Sequence, residues 1–339
     1  MRTMKLTLTI ICLAVAGGLM ATTQTLAVLA SDTQGTSQMA GEWAEMGKEY
    51  TINPNDPMNF TLRSAEFLAT RIKIGNEIYY PKGDEKFLVL HYTIHNPQDS
   101  EKNATWNTFD FTAVDATNEN REYSQYVGQE DNSLEIGNID LKPAQEIKAY
   151  TFIIVPAKGV IPKLIVKRGD APVLRFDLKG KVTPLAAPYA DPSDPTGCTA
   201  LKEVPAVMGT WYPTGRFDIR LDSASYTNET YVEYAPEEGR HHLLLNVTIK
   251  NPAGAAQNIA WSTFNPEVKV ESGEKIEYNQ NLLHSKRDEV LNADLDPDQE
   301  IKARFFFQVY TDDPAAKFII LDGYDEGNRK FVFDVSSVK

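Results

Sequence analysis

Hydrophobic and polar residues alternate along short stretches of the chain, as they do in β-strands with one buried face. In residues 87–95 every second residue is large and apolar, and residues 243–250 repeat the pattern. Alternation with a period of two places the apolar set on one face of a strand and the polar set in water. Asn-Pro follows directly after both stretches, and proline has no N–H to donate to a sheet. The predicted inward-facing residues are Leu88, Leu90, Tyr92 and Ile94 in the first stretch, and Leu243, Leu245, Val247 and Ile249 in the second.

A second type of strand is predicted where the apolar residues are nearly continuous. Residues 150–155 and 304–309 have this composition, and each follows a Leu-x-Pro-x-Gln-Glu turn signal. Continuous apolar strands are typical of positions covered on both faces. Shorter strands follow each one, and no long amphipathic helical pattern occurs. Several short strands separated by turns favour a β-sandwich, with a closed barrel as the structural alternative.

Three blocks of sequence recur in the same order at an offset near 155 residues. Residues 91–97 return as 246–252, 106–109 return as 261–264, and 140–149 return as 294–303, the last with eight of ten positions identical. Matched blocks at a nearly constant offset indicate a duplicated unit. We therefore predict an all-β chain with two tandem immunoglobulin-like β-sandwich domains.

The predicted domains cover residues 43–182 and 206–339. A Pro-rich linker over 183–205 joins them, and its proline density favours an extended, stiff spacer. Residues 31–42 are small and polar, and are predicted to be a flexible tether.

Residues 1–30 resemble a secretory signal peptide, with Arg2 and Lys5 ahead of an apolar run over 6–20 and a small-x-small pattern ending at Ala30. A retained membrane anchor is the alternative, but the run is short of the roughly 20 residues that span a bilayer. We expect a secreted or cell-envelope protein on the extracellular side, with no membrane insertion after signal cleavage.

The charge of the chain argues against nucleic-acid partners. Cleavage after Ala30 removes two basic residues and no acidic one, so the net charge moves from −13 to −15. Phosphate binding needs clustered Lys and Arg, so no nucleic-acid partner is expected. Only Cys198 then remains, which excludes an intrachain disulfide and leaves a free thiol or an intermolecular bridge.

The sequence contains no recognisable catalytic motif, and no histidine recurs between the repeats. His91 and His95 lie on one face of a strand, but four residues separate their Cα atoms by roughly 13 Å, too far for one zinc ion. Neither enzyme activity nor a cofactor or metal site is therefore predicted. The loop over 322–328 leaves open a weak calcium site, although its acidic residues have the wrong spacing for a calcium hand.

Trp106 and Trp261 occupy the same position in the two repeats. A repeated tryptophan is either a core or hairpin anchor, or a stacking platform for sugars or for a partner's side chain. Both residues are retained as possible ligand contacts.

The order of these features resembles the bacterial secreted domain of unknown function 4352, which is similar in fold to the mycobacterial secreted immunogenic protein of immunoglobulin-like type. The matching residues are Gly47, Tyr50, Asn96, 109–115, Tyr123, 143–146 and Phe152 in the first repeat, and Gly209, Tyr212, Asn251, 264–271, Tyr278, 297–300 and Phe306 in the second. Two features depart from the family pattern. Ala144 and Asp298 replace the glycine that commonly follows the corner proline, and the acidic residue of the Phe strand is Glu271 in the second repeat. The resemblance implies an immunoglobulin-like fold and export, and no specific chemistry.

The predicted function is that of a non-enzymatic extracellular or cell-envelope binding protein with an unknown protein or glycan partner. Inhibition of a secreted protease is the first alternative, and a metal-binding envelope protein is the second.

Overall fold

The computed structural model describes residues 43–276, 282–323, 325 and 327–338. The predicted signal peptide over 1–30 and the tether over 31–42 lie outside the described residues, as do Tyr278, Tyr324 and Glu326. All regular structure in the described residues is β-strand. None of it forms a helix long and apolar enough to cross a membrane. The prediction of an all-β fold is confirmed.

The strands fall into two series. The first is β1 (Tyr50–Ile52), β2 (Met58–Leu68), β3 (Ile72–Ile74), β4 (Glu77–Tyr79), β5 (Glu85–His95), β6 (Lys102–Thr105), β7 (Asp110–Val114), β8 (Asn120–Gln129), β9 (Asn138–Leu141), β10 (Glu146–Pro156), β11 (Lys163–Lys167) and β12 (Leu174–Asp177). The second is β13 (Glu203–Ala206), β14 (Tyr212–Pro213), β15 (Asp218–Thr227), β16 (Arg240–Lys250), β17 (Gln257–Ala260), β18 (Glu267–Val270), β19 (Lys275–Ile276), β20 (Leu283–His284), β21 (Asn292–Leu295), β22 (Glu300–Tyr310), β23 (Ala315–Ile320) and β24 (Lys330–Asp334).

The two series share much of their topology, although the pair β3–β4 of the first has no counterpart among the described strands of the second. In the first, one sheet has the order β1-β2-β5-β10-β8-β7-β11-β12, and the pairs β3–β4 and β6–β9 stand apart. In the second, sheets of order β14-β15-β16-β22-β20 and β13-β24-β23-β18-β19 accompany the pair β17–β21. One bulge recurs: β2 is bulged between Leu62 and Ser64, and β15 between Leu221 and Ser223. A bulge at the same place in both series bends each sheet in the same way.

Each series encloses its own hydrophobic core. The predicted inward faces of β5 and β16 are confirmed, since they contribute to the first and second core respectively. The predicted wet face of β5 is wrong. Phe87 and Val89 on that face are buried together with Phe152, because the hairpin of β3 and β4 lays Ile72 and Ile74 over them.

The segment over 183–205 is packed against the cores, which corrects the expectation of an extended, stiff spacer. Leu185 and Cys198 are buried in the first core, and Tyr189 packs against both cores. The Lys86 ammonium is fully buried and donates hydrogen bonds to the carbonyl oxygens of Ala157 (3.1 Å), Gly159 (2.5 Å) and Cys198. Burial lowers the pKa of Lys86 to about 8. Proline density sets local backbone stiffness, but these apolar and carbonyl contacts decide where the segment lies.

The two series also contact each other directly. Arg71 forms an ion pair with Asp218. The guanidinium of Arg329 donates to the carbonyl oxygens of Lys82 (3.0 Å) and Glu85 (2.7 Å). All of the described residues belong to one compact unit. The boundaries of the two domains, at 182 and 206, stay a prediction.

Candidate functional site

The two repeated tryptophans lie in matched tight turns. Trp106 follows β6, and the N–H of Thr105 donates to the Thr108 Oγ1 (2.7 Å), while the N–H of Thr108 donates to the Thr105 carbonyl (3.0 Å). The turn around Trp261 has the same two bonds, from Ala260 to the Thr263 hydroxyl (2.9 Å) and back from Thr263 to the Ala260 carbonyl (3.0 Å). A threonine three residues along thus fixes each turn by side-chain to backbone bonding.

The tryptophan side chains are exposed. Trp106 keeps 37% of its accessible surface and Trp261 keeps 39%, whereas Phe109 and Phe264, three residues later, are buried. The tryptophans are therefore not core residues, and the neighbouring phenylalanines fill that position. The turns present both indoles to solvent.

An outward row of amides and a carboxylate lies on the strand pair whose first strand precedes each tryptophan turn. In the β6–β9 pair, the Nδ2 of Asn103 donates to the Oδ1 of Asn138 and to the Oδ1 of Asp140 (3.0 Å). Asn103 lies directly opposite Asp140, and Asn138 lies opposite Thr105, the residue before Trp106. Ala104 and Leu141 on the other face are buried and hold the pair against the first core.

The β17–β21 pair has the same arrangement. The Nδ2 of Asn258 donates to the Oδ1 of Asn292 (3.2 Å) and to the Oδ1 of Asp294 (2.9 Å). Asn258 lies opposite Asp294, and Asn292 lies opposite Ala260, the residue before Trp261. All of these amides and carboxylates are exposed, as they are in the first copy.

We call each of these surfaces a Trp–amide face. The first consists of Asn103, Trp106, Asn138 and Asp140, and the second of Asn258, Trp261, Asn292 and Asp294. All four residue types are the same in both copies, although Lys102 corresponds to Gln257 and Thr105 to Ala260. Exposed residues outside the faces are retained as well, with Glu146 matching Glu300 and Lys148 matching Lys302. Exposed polar contacts contribute little to folding stability, so the hydrogen bonds within each face add little to the stability of the fold.

The asparagines of the Trp–amide faces were missed by the sequence analysis, which singled out only Trp106 and Trp261. The signal was present as Asn-x-x-Trp and Asn-x-Asp in both copies. What joins these two motifs is the pairing of β6 with β9 and of β17 with β21, and hydrophobic alternation does not show which strands pair.

The histidines are engaged in local contacts. His91 lies between two carboxylates, with Nε2 3.2 Å from the Glu66 Oε1 and Nδ1 2.6 Å from the Glu130 Oε1. The hydrogen bond with Glu66 raises the pKa of His91, and the pKa of Glu66 is lowered by the same contact. His95, on the same face, has its Nδ1 2.9 Å from Glu49.

His242 is fully buried, and its Nδ1 contacts the Glu229 carbonyl at 2.9 Å. Burial lowers the pKa of His242. Across the part of the chain that the structure describes, no group of three or more His, Cys, Asp or Glu side chains is placed to hold a metal ion.

No family model matches the chain, and no curated protein sequence matches it. Among solved structures, it is similar to an uncharacterized β-sandwich protein of Clostridium difficile 630, with 16% identity over 39% of this chain and 93% of that one, at a TM-score of 0.30. It is also similar to MPT63, a secreted protein of Mycobacterium tuberculosis, with 11% identity over 39% of this chain and 97% of that one, at a TM-score of 0.31. The yjhA protein of Bacillus subtilis matches 38% of this chain and 98% of its own length, with 8% identity and a TM-score of 0.26.

Proposed function

We propose that this chain is a non-enzymatic binding protein of the cell envelope or the extracellular space, and that its two Trp–amide faces hold its partner. The observation that carries the proposal is the retention of four exposed residue types at matched positions of two repeats. Exposed side chains that folding does not require are retained when they contact a partner, and tryptophan is enriched at contact surfaces. The proposal includes export through the segment 1–30 and membership of the secreted family of unknown function 4352.

The histidine contacts support a non-enzymatic role. A nucleophilic triad needs an imidazole positioned between a nucleophile and an orienting acid. Here His91 is bonded to carboxylates on both sides, and His242 is buried against a backbone carbonyl. Neither imidazole is arranged to activate a nucleophile.

The test is retention of envelope components by the immobilised chain. The native chain is compared with the double variant Trp106→Ala/Trp261→Ala and with Tyr234→Ala, which removes another exposed aromatic side chain. We expect the native chain and Tyr234→Ala to retain the same components and the double variant to lose them. Equal retention by all three chains would show that the partner binds elsewhere.

A further inference from the structure

We infer that each Trp–amide face binds a neutral oligosaccharide, an inference that rests on the binding function proposed above. The chemistry of the face matches the two sides of a sugar. A pyranose ring has a face rich in C–H groups that stacks on an indole, and hydroxyl groups that both donate and accept hydrogen bonds. An exposed tryptophan beside amides and a carboxylate offers both kinds of contact.

The hydrogen bonds within each face leave groups for a ligand. Asn103 uses its Nδ2 in both bonds of the row, so neither bond occupies its Oδ1, which can accept a hydrogen bond from a ligand. Asn138 accepts in that row through Oδ1, and within the described residues its Nδ2 donates to no protein group. The second copy is bonded in the same sense, from Asn258 to Asn292 and Asp294. Each face therefore holds its side chains in fixed positions and still presents both donors and acceptors.

The charge of the face selects against anionic polymers. Each face contains one aspartate and no basic residue, and the chain carries a net charge of −13. An anionic glycan or phosphate polymer is repelled by that field, whereas uncharged hydroxyl groups are good donors to a carboxylate. Lys102 is not retained in the second copy, where Gln257 replaces it. The feature that both copies share is suited to a neutral ligand.

The experiment titrates the full chain with neutral oligosaccharides derived from cellulose, mannan, starch and chitin, and follows the heat of binding. We expect at least one of them to bind two sites per chain. Either single variant, Trp106→Ala or Trp261→Ala, should leave one site with native affinity and weaken the other. The double variant should weaken binding by about tenfold or more, and Tyr234→Ala should bind as the native chain does. Circular dichroism confirms that each variant is folded.

Two further arms separate the possible partners. The first arm uses the double variant Asp140→Asn/Asp294→Asn, which keeps the shape of the faces and removes their charge. For a neutral sugar we expect an affinity that changes little with salt, whereas a basic protein partner would lose most of its affinity in this variant and at high salt. Binding of none of the oligosaccharides overturns the inference. If envelope components are still retained through Trp106 and Trp261 in that case, the proposed function stands and the partner is a protein. If retention is also independent of the two tryptophans, both proposals fail.

Discussion

The side-chain amides of Asn96 and Asn251 make the same buried hydrogen bonds in the two halves of the molecule. The Nδ2 of Asn96 donates to the carbonyl oxygens of Ser100 (2.8 Å) and Leu141 (2.9 Å). The Nδ2 of Asn251 donates to those of Ala255 (2.9 Å) and Leu295 (2.8 Å). Both residues are fully buried. Because Leu141 ends β9 and Leu295 ends β21, each asparagine ties a central strand to the pair that carries a Trp–amide face.

Replacing Asn96 by Asp should destabilise the protein strongly. The carboxylate cannot donate, so it would leave the carbonyl oxygens of Ser100 and Leu141 without their partner and bring a charge into a buried site. We expect the free energy of unfolding to fall by about 2–4 kcal/mol in urea denaturation. Asn107→Asp is the control, because Asn107 is exposed and acts as an acceptor for the Thr105 hydroxyl. A change within about 0.5 kcal/mol is expected there, and equal effects of the two substitutions would contradict the argument.

Ala144→Gly should stabilise the protein. Ala144 has φ = 59° in the turn after Pro143, and Asp298 has φ = 61° at the matching position. The N–H of Gln145 closes the turn on the Lys142 carbonyl at 3.0 Å. A left-handed conformation costs a residue with a Cβ atom roughly 1–2 kcal/mol, and glycine avoids this cost but loses more entropy on folding.

The net gain expected for Ala144→Gly is about 0.5–1 kcal/mol, measured as a shift of the denaturation midpoint. Ala149→Gly provides the opposite case, because Ala149 lies within β10 and is buried. It should lower stability by at least about 0.5–1 kcal/mol. If Ala144→Gly also lowers stability, the positive φ is not the controlling feature of this turn.

The acid–base pair of His91 and Glu66 should give stability a defined pH window. The folded pKa of His91 is raised, so its contribution is present below the unfolded value of about 6.5 and is lost as pH rises through the folded pKa. The folded pKa of Glu66 is lowered, so its contribution is present above the unfolded value of about 4.3 and is lost as pH falls through the folded pKa. The pair therefore makes its full contribution to folding stability only between about pH 4.3 and about pH 6.5, the two unfolded pKa values.

His91→Gln should therefore lose stability relative to the native chain mainly between about pH 4.3 and 6.5, with a smaller difference at pH 9. Thermal unfolding across this pH range measures the difference. His95→Gln, which removes another imidazole from the same strand, should leave the His91-dependent part of the profile in place. A difference for His91→Gln that is constant with pH would mean that packing against Tyr150, and not the charge, is what the imidazole contributes.

Much of the fold was predictable, because alternation, Asn-Pro strand ends and the internal repeat show where strands lie, where they end and which of their faces is buried. The outer face of β5 was not, since Phe87 and Val89 are covered by the preceding β3–β4 hairpin, and the apolar pattern does not show that this hairpin folds back over them. For the site, the position of Trp106 was predicted and its exposure was not. Burial of a tryptophan depends on which neighbour fills the core, and here Phe109 does so. The row from Asn103 to Asp140 depends on strand register, which the apolar pattern leaves undetermined.

Gly83→Ala should loosen the contact between the two series of strands. The N–H of Gly83 donates to the Gly327 carbonyl at 2.7 Å. A Cβ atom at position 83 would lie 2.8 Å from the Lys202 Cγ and 3.1 Å from the Gly327 carbonyl oxygen. The Lys202 side chain can move. The Gly327 carbonyl can move only if its backbone shifts, and nearby Arg329 is fixed by its hydrogen bonds to the carbonyls of Lys82 and Glu85. We expect a loss of about 1–3 kcal/mol, the usual cost of overpacking.

The control for Gly83→Ala is Gly137→Ala. A Cβ atom at position 137 would meet nothing within 4 Å, and the φ of Gly137 is not in the left-handed region. Its stability should change by less than about 0.5 kcal/mol. Calorimetry distinguishes two outcomes for Gly83→Ala, because a single transition at lower temperature means that the halves unfold together, and two transitions mean that the contact alone coupled them. A melting profile identical to that of the native chain would show that the halves do not depend on this contact for their stability.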